Sequence, residues 1–191
     1  MRKIILASQS EQRKKLLKQI GIKFKVVVPK VRECNRIKTN CKDLVIANAL
    51  LKAKDAACRI RSGVIISADT VVLVGKRIIG KPKSKKDAFK TLKLLTSKPQ
   101  WVYTGIAVSD TESGKIFTDY AKTKVYMRKV NDCQIRNYLD NVYVMNKAGS
   151  FDIQGMGAIF VERIEGCFYN VVGLPLAKLV KILDELDSNI F

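Results

Sequence analysis

The chain contains no histidine in its 191 residues. This absence excludes Ser-His-Asp and Cys-His nucleophilic schemes, and it excludes any metal site that needs an imidazole ligand. Proton transfer would then fall to a carboxylate, a lysine, a tyrosine or water on a metal. Any catalysis by this chain is therefore expected to depend on carboxylates and cations.

The cysteines are poorly arranged for a structural role. The five cysteines form no Cys-x-x-Cys pair, and they are Cys34, Cys41, Cys58, Cys133 and Cys167. Their spacing offers no zinc site, and their odd number does not match a disulfide framework. We interpret them as reduced thiols in a cytosolic compartment.

Long hydrophobic runs are also missing. The apolar run near the N-terminus covers only residues 4–7, whereas the apolar region of a signal peptide needs roughly 7–15 residues. The longest apolar stretch, residues 64–75, is interrupted by Asp69 and is shorter than the roughly 20 residues that span a bilayer. We therefore expect a cytoplasmic protein that does not enter a membrane.

Acidic residues are few, since 17 Asp and Glu face 36 Lys and Arg, for a formal net charge of +19. Such an excess would suit a nucleic-acid partner. However, the basic residues occur in ones, twos and threes, with no run of five and no basic stripe interleaved with aromatics along the sequence. We favour a lysine-rich solvated surface over a nucleic-acid face. The charge would still attract a polyanionic small molecule such as a nucleotide.

The hydrophobic spacing predicts strands alternating with helices. Strands are predicted at residues 3–7, 24–28, 64–74, 101–109, 115–127 and 158–164, with a short return strand before Gly80. Helices are predicted up to residue 20, at 42–61, 84–95 and 131–140, and after Pro175. This alternation predicts an α/β fold with a mixed sheet and flanking helices. Because no linker or repeat is apparent, we expect one domain over residues 1–191.

The helix at 42–61 has a predicted buried face. Its apolar spacing assigns Leu44, Ala47, Leu51 and Cys58 to that face and places Lys52 outside it. Without other context, Lys52 would be interpreted as a solvated helical lysine.

Asp69 is the most informative single residue. It lies inside the apolar strand at 64–74, where a carboxylate is costly unless it is paired or binds a cation. Strand alternation puts Ser67 and Val71 on the same face as Asp69 and Thr70 on the other. A functional role for Asp69 is therefore favoured over a structural one.

Further candidates lie at predicted turns and helix ends. Ser8 and Arg13 lie at a strand-to-helix junction, which suits phosphate binding or ordinary helix capping equally well. Lys81 follows a glycine in a stiff Gly-Lys-Pro turn, from which it could reach a phosphate. Gln154 lies between glycines, and its amide could read a base edge. Without other context, Glu33 would be interpreted as an ordinary charged residue in a surface loop.

Seven short sequence blocks occur in the same order as in the Maf family of nucleoside triphosphate pyrophosphatases, which the chain therefore resembles. They are Leu-Ala-Ser-Gln-Ser at 6–10, Lys-Ala at 52–53, Ala-Asp-Thr-Val-Val at 68–72, Gly-Lys-Pro at 80–82, Lys-Ala-Gly at 147–149, Ile-Gln-Gly at 153–155 and Val-Val-Gly-Leu-Pro at 171–175. Each block is weak alone, but seven in the right order make a strong signal, and the resemblance extends from residue 4 to about 186.

The resemblance implies a fold and an activity. It implies an elongated, two-lobed α/β domain with a central cleft, related to the inosine triphosphate pyrophosphatase architecture. It also implies hydrolysis of nucleoside triphosphates to the monophosphate and pyrophosphate with a divalent metal, Mg²⁺ or Mn²⁺. The family is associated with arrest of septum formation. A homodimer is allowed but not required, and neither a membrane nor a nucleic acid is an expected partner.

The resemblance also assigns roles to single residues. Asp69 corresponds to the catalytic carboxylate, with Glu33 as its companion at the metal. The expected substrate-binding residues are Ser8, Gln12, Arg13, Lys52, Thr70, Lys81 and Gln154. With no histidine available, Asp69 would act as the base, or it would orient an attacking water on the metal.

Three positions depart from the family pattern. Gln12 stands where arginine is typical of the dTTP/UTP type and tryptophan of the 7-methyl-GTP type. Asn146 replaces an aspartate and Gln100 replaces a histidine. Thr70 and Gln154 still resemble the dTTP/UTP type, so we expect dTTP, UTP or modified pyrimidine nucleotides as substrates.

Two alternatives to an enzyme remain open at this point. The chain could be a basic nucleic-acid-binding protein, or a division-control protein, with a catalytically degenerate nucleotide cleft. The joint retention of Lys52, Asp69 and Lys81 argues against both.

Overall fold

The computed structural model describes residues 2–34 and 40–186. The strands are β1 (Ile4–Leu6), β2 (Phe24–Val26), β3 (Val64–Val74), β4 (Arg77–Ile79), β5 (Gln100–Asp110), β6 (Ile116–Met127) and β7 (Val161–Glu165). The helices are α1 (Glu11–Gln19), α2 (Cys41–Ala57), α3 (Lys85–Leu95), α4 (Asp132–Asn141), α5 (Phe168–Val172) and α6 (Leu176–Glu185). No helix in the described ranges has the length and apolar character needed to cross a membrane.

One mixed sheet contains these strands. Its order is β2-β1-β3-β5-β6-β7, with β4 also paired to β3. β1 pairs in parallel with β2 and β3, whereas β3 with β4 and β6 with β7 are antiparallel. The predicted α/β class with a mixed sheet and flanking helices is confirmed.

The chain divides into two compact units. The first contains residues up to Asp69, Thr104–Ala121 and the chain from Gly173 onward, and the second contains Thr70–Tyr103 and Lys122–Val172. In the first unit, α2 packs on β1 and β3 through small side chains, including Ala49, Ala53 and Ala56. α2 also lies close to β5, since a Cβ on Gly105 of that strand would lie 2.5 Å from the backbone carbonyl of Val45 in α2.

The second unit has a larger aliphatic and aromatic core. Leu92 and Leu95 of α3 pack there with Ile135 and Tyr138 of α4, and Tyr138 meets Phe160 edge to face at 4.8 Å between ring centroids. Burial raises the pKa of the Tyr138 hydroxyl to about 12. This core holds the helices that flank the later strands.

Short polar side chains fix where several helices begin. Asn40, Ser84 and Asn131 each cap a helix by accepting a hydrogen bond from the backbone N–H three residues on. At α4 the bond is reciprocal, since Gln134 also accepts from the Asn131 backbone. These caps explain why the predicted starts of α2, α3 and α4 agree with the structure within a residue or two.

Two sequence predictions about elements are wrong. The strand expected at 158–164 begins only at Val161, because residues 156–160 form a 3₁₀ turn and a Cβ on Gly157 would lie 2.6 Å from the Asp152 backbone nitrogen. The buried face of α2 is also different, since Ala47, Leu51 and Cys58 are exposed. Lys52, which was expected outside that face, is one of its buried members.

Candidate active site

Asp69 lies in β3 on the face toward α2, and it is 5% exposed. Its Oδ1 accepts a hydrogen bond from Lys52 Nζ at 2.7 Å, and its Oδ2 accepts one from Asn48 Nδ2 at 2.9 Å. Both carboxylate oxygens therefore have a partner, which is what allows an ionised group to be buried. A carboxylate held in this way has a fixed orientation.

Lys52 joins two carboxylates. Its Nζ lies 2.7 Å from Glu33 Oε1 as well as 2.7 Å from Asp69 Oδ1, and it also donates to the carbonyl oxygen of Ala68 at 3.2 Å. These three acceptors match the three donors of an ammonium group. The Lys52 side chain is 8% exposed and that of Glu33 is 46% exposed, so the cluster opens to solvent at Glu33.

Asn48 is a member of this cluster that the sequence analysis missed. Its Nδ2 donates both to Asp69 Oδ2 and to the carbonyl oxygen of Cys34 at 2.9 Å, while its Oδ1 accepts from the Cys34 backbone nitrogen at 3.0 Å. Asn48 therefore orients Asp69 and anchors the chain next to Glu33. A signal was available, since Asn48 precedes Lys52 by one helical turn, on the same face of α2.

Arg13 provides a second buried cation in the first unit. Its Nε donates to the carbonyl oxygen of Gly173 at 2.8 Å, and its Nη1 donates to Ser8 Oγ at 3.2 Å. Burial lowers the pKa of the Arg13 guanidinium, whereas the nearby charges of Asp69 and Glu33 act to raise it. Arginine still remains protonated near neutral pH, because its ordinary pKa is so high.

The junction of β1 and α1 orients Arg13. Ser10 caps α1 by accepting from the Arg13 backbone nitrogen at 3.4 Å, and Ser8 Oγ accepts from the Ser10 backbone nitrogen at 3.1 Å. The sequence analysis allowed either helix capping or phosphate binding at this junction, and the capping bond is present at Ser10. The Ser8 hydroxyl instead connects the junction to the guanidinium. Gln12 lies on the same helix and is half-buried.

We call Glu33, Asn48, Lys52 and Asp69 the carboxylate–lysine cluster. No group of three or more metal-ligating side chains occurs within residues 2–34 and 40–186. The two carboxylates of the cluster are nevertheless oxygen donors of the kind that Mg²⁺ and Mn²⁺ prefer. Magnesium is commonly held by one or two carboxylates together with substrate phosphates and water, so these residues fit such an ion.

The other predicted substrate residues belong to the second unit. Thr70 follows Asp69 in β3 and is half-buried, and Lys81 is exposed just after β4. The turn before Lys81 is fixed by a hydrogen bond from the Gly149 backbone nitrogen to the Gly80 carbonyl oxygen at 3.2 Å.

Gln154 is exposed on a turn that Asp152 organises. Asp152 Oδ1 accepts from the Gln154 backbone nitrogen at 3.0 Å, and its Oδ2 pairs with Lys147 Nζ at 2.7 Å. The Gly155 backbone nitrogen also donates to the Asp152 carbonyl oxygen at 3.1 Å. The backbone that carries Gln154 is therefore fixed while its side chain faces solvent.

Comparison with known proteins gives a family and full-length relatives. A protein from Dictyoglomus turgidum named dTTP/UTP pyrophosphatase is 47% identical, with 100% of both chains covered. One of the same name from Methanococcoides burtonii is 44% identical over 100% of this chain and 98% of its own. The solved structure of the Staphylococcus aureus Ham1 protein aligns over 97% of this chain and 100% of its own, at 16% identity and a TM-score of 0.47. A family model described as Maf-like protein matches residues 3–186, and the chain therefore belongs to the Maf family.

Proposed function

We propose that this chain hydrolyses nucleoside triphosphates to the monophosphate and pyrophosphate, with dTTP and UTP as its substrates. The observation that carries the proposal is the buried Asp69, oriented by Lys52 and Asn48 in a chain without histidine. The family supplies the substrate class, because full-length relatives at 44–47% identity are named dTTP/UTP pyrophosphatase.

In the proposed reaction, Asp69 acts as the general base. A water oxygen bonds to phosphorus, its proton passes to an Asp69 carboxylate oxygen, and the phosphoanhydride P–O bond breaks to release pyrophosphate. Asn48 and Lys52 keep the carboxylate in one orientation, so little reorganisation is needed when the proton moves. The absence of histidine leaves no imidazole to take this role.

Fixed cations would balance the negative charge of the phosphates. Lys52 and Arg13 are both buried in the first unit, where they lose little effect to solvent screening. The Ser8 hydroxyl, which accepts from Arg13, has its own proton to donate to a phosphate oxygen. Lys81 is proposed as a further phosphate ligand through its correspondence to the family motif.

A divalent cation is part of the proposal, with Glu33 and Asp69 as its protein ligands. When bound, Mg²⁺ or Mn²⁺ supplies Lewis-acid neutralisation of phosphate charge. Because Lys52 hydrogen-bonds to both carboxylates, it would have to share these oxygens with the ion. We propose a cytoplasmic setting, where nucleotide triphosphates are made and used.

The choice of base is proposed to depend on Thr70 and Gln154, with Gln12 in the position of the family's arginine. A panel of ordinary and modified triphosphates, assayed separately for pyrophosphate and for phosphate, tests this choice. Pyrophosphate release from dTTP and UTP above that from purine nucleotides is expected. Preferential turnover of a purine triphosphate would overturn the pyrimidine assignment.

The catalytic role of Asp69 is tested with Asp69→Asn, which keeps the size of the side chain and removes its basicity. We expect a loss of turnover of at least about 10³-fold while the far-UV circular dichroism spectrum stays that of the wild type. The control is Glu162→Gln, which removes an exposed carboxylate in β7. Wild-type turnover by a folded Asp69→Asn protein would refute the proposal.

A further inference from the structure

A group of aromatic and basic side chains lies on one face of the sheet in the second unit. Trp101 is in β5, Lys122, Lys124 and Tyr126 are in β6, and Arg163 is in β7. We call these five residues the Trp101 surface. Because β5, β6 and β7 are neighbours in the sheet, residues far apart in the sequence come together here.

This face is distinct from the core of the unit. Val102 and Val125 are fully buried in the core, and they alternate with Trp101, Lys124 and Tyr126 along the same strands. Strand alternation therefore places the latter three on the opposite face. Lys122 and Arg163 are exposed, and both rings are half-buried.

Cations and rings are interleaved across the three strands. Lys122 Nζ and Lys124 Nζ lie 5.2 and 5.7 Å from the centroid of the Trp101 ring. On the far side of Lys124, its Nζ is 4.9 Å from the Tyr126 ring, and the Arg163 guanidinium lies 3.6 Å from the same ring. Part of this pattern is visible in the sequence, where Lys122, Lys124 and Tyr126 alternate along β6, and strand pairing adds Trp101 and Arg163.

The charge of this surface is strongly positive. Glu165 lies beside it, where it pairs with Arg163 and accepts from the Tyr126 hydroxyl at 3.0 Å. Over the whole unit, residues 70–103 and 122–172, 16 lysines and arginines accompany six Asp and Glu residues. This excess of cations favours an anionic partner.

We infer that the Trp101 surface binds single-stranded nucleic acid, as an activity separate from triphosphate hydrolysis. Partly exposed aromatic rings on a sheet stack unpaired bases, and interleaved lysines and arginines follow the phosphates. A duplex hides its bases from such rings, and an acidic protein would use the cations but not the rings. The surface thus combines the two chemistries that only an unpaired strand uses together.

The single tryptophan of the chain makes the test direct, because all tryptophan fluorescence comes from Trp101. The protein is titrated with a twelve-nucleotide oligouridylate, with EDTA present to prevent turnover. Stacking of a base on the indole is expected to quench the emission in a saturable manner. UMP, heparin and a twelve-base-pair duplex are titrated in parallel, and each is expected to quench far less.

Variants locate the binding by fluorescence anisotropy of a labelled oligouridylate. Trp101→Ala is expected to weaken binding by about 5- to 100-fold, and Trp101→Phe by less, because a ring is retained. Lys122→Ala/Lys124→Ala is expected to lower the slope of log K against log salt by about 1.4, the value for two lost phosphate contacts on a single strand. The matched control is Lys86→Ala/Lys90→Ala, which removes two exposed charges from α3.

Several results would overturn the inference. An absence of quenching by the oligonucleotide rules out stacking on Trp101. Equal quenching by UMP would make the surface a mononucleotide site, and equal quenching by heparin or duplex would make it a general polyanion site. Equal weakening by the α3 control would show that only net charge matters. Because the Lys122/Lys124 and control variants leave the ring intact, the inference stays testable if Trp101→Ala does not fold.

Discussion

Replacing Lys52 with methionine tests the electrostatic logic of the carboxylate–lysine cluster. Methionine keeps the length of the side chain and removes the ammonium that joins Asp69 and Glu33. Lys52→Met therefore removes the ammonium that pairs with the buried Asp69, which keeps the hydrogen bond from Asn48 and the nearby charge of Arg13. Both the stability of the protein and its turnover should fall.

The size of the effect follows from burial. The side chains of Lys52 and Asp69 are 8% and 7% exposed. Removing one partner of such a buried ion pair lowers the free energy of unfolding by about 3–5 kcal/mol. Glu33 is 46% exposed, so its share is small, below about 1 kcal/mol. We expect Lys52→Met to lower the free energy of unfolding by about 3 kcal/mol. Asp69→Asn should cost about 2 kcal/mol, since it leaves Lys52 with Glu33 and a backbone carbonyl.

The double variant separates this account from simple loss of packing. Lys52→Met/Asp69→Asn leaves no unpaired charge between the two positions, so it should cost about 2 kcal/mol instead of the sum of about 5. Urea unfolding at pH 7, followed by far-UV circular dichroism, measures the coupling of about 3 kcal/mol. Lys54→Met, an exposed change on the same helix, should stay within about 0.5 kcal/mol. A coupling below about 0.5 kcal/mol would refute the reasoning.

Three further predictions concern other parts of the chain. Gly105→Ala should destabilise the protein by at least about 1–3 kcal/mol in urea unfolding, because its Cβ would meet the α2 backbone, whereas Gly80→Ala has open space and should cost far less. Burial acts to raise the pKa of Asp110, but hydrogen bonds from Ser113 and Glu112 and the charge of Arg2 lower it overall. The pKa of Asp110 is thus lower in the folded than in the unfolded protein, so its contribution to stability is present above about pH 4 and is lost as the pH falls further. Asp110→Asn should therefore reduce the fall in the free energy of unfolding with pH below about pH 4. Asp152→Ala should release the turn that carries Gln154 and reduce discrimination between pyrimidine and purine triphosphates in kcat/KM, while Asp140→Ala should not.

Much of the fold could be predicted because local chemistry and tertiary packing agree. The apolar, β-branched run at 64–74 became β3 with the same ends, and the caps of α2, α3 and α4 marked their starts. The start of β7 was not predictable from propensity, because it depends on the packing of Gly157 against the Asp152 backbone. This is a backbone contact within one loop, and the spacing of hydrophobic residues gives no information about it.

The candidate site was less accessible to sequence reasoning. Asp69 was found because a carboxylate inside an apolar strand violates a simple rule. The prediction for Lys52 was wrong because α2 buries alanines and polar side chains together, and the exposed Leu51 does not mark the buried face. Asn48 was missed for the same reason, although it precedes Lys52 by one turn. The family resemblance supplied Lys52 where periodicity failed.

The balance of charge around Asp69 has a consequence for how substrate arrives. Lys52 and Arg13 offset Asp69 and Glu33, so these four charges attract a free polyanion little at a distance. The long-range attraction must instead come from the rest of the chain, whose formal net charge is +19. Under the proposed function, encounter with a triphosphate is then a property of the whole surface and is weakened by salt, whereas proton transfer at the buried Asp69 is screened far less.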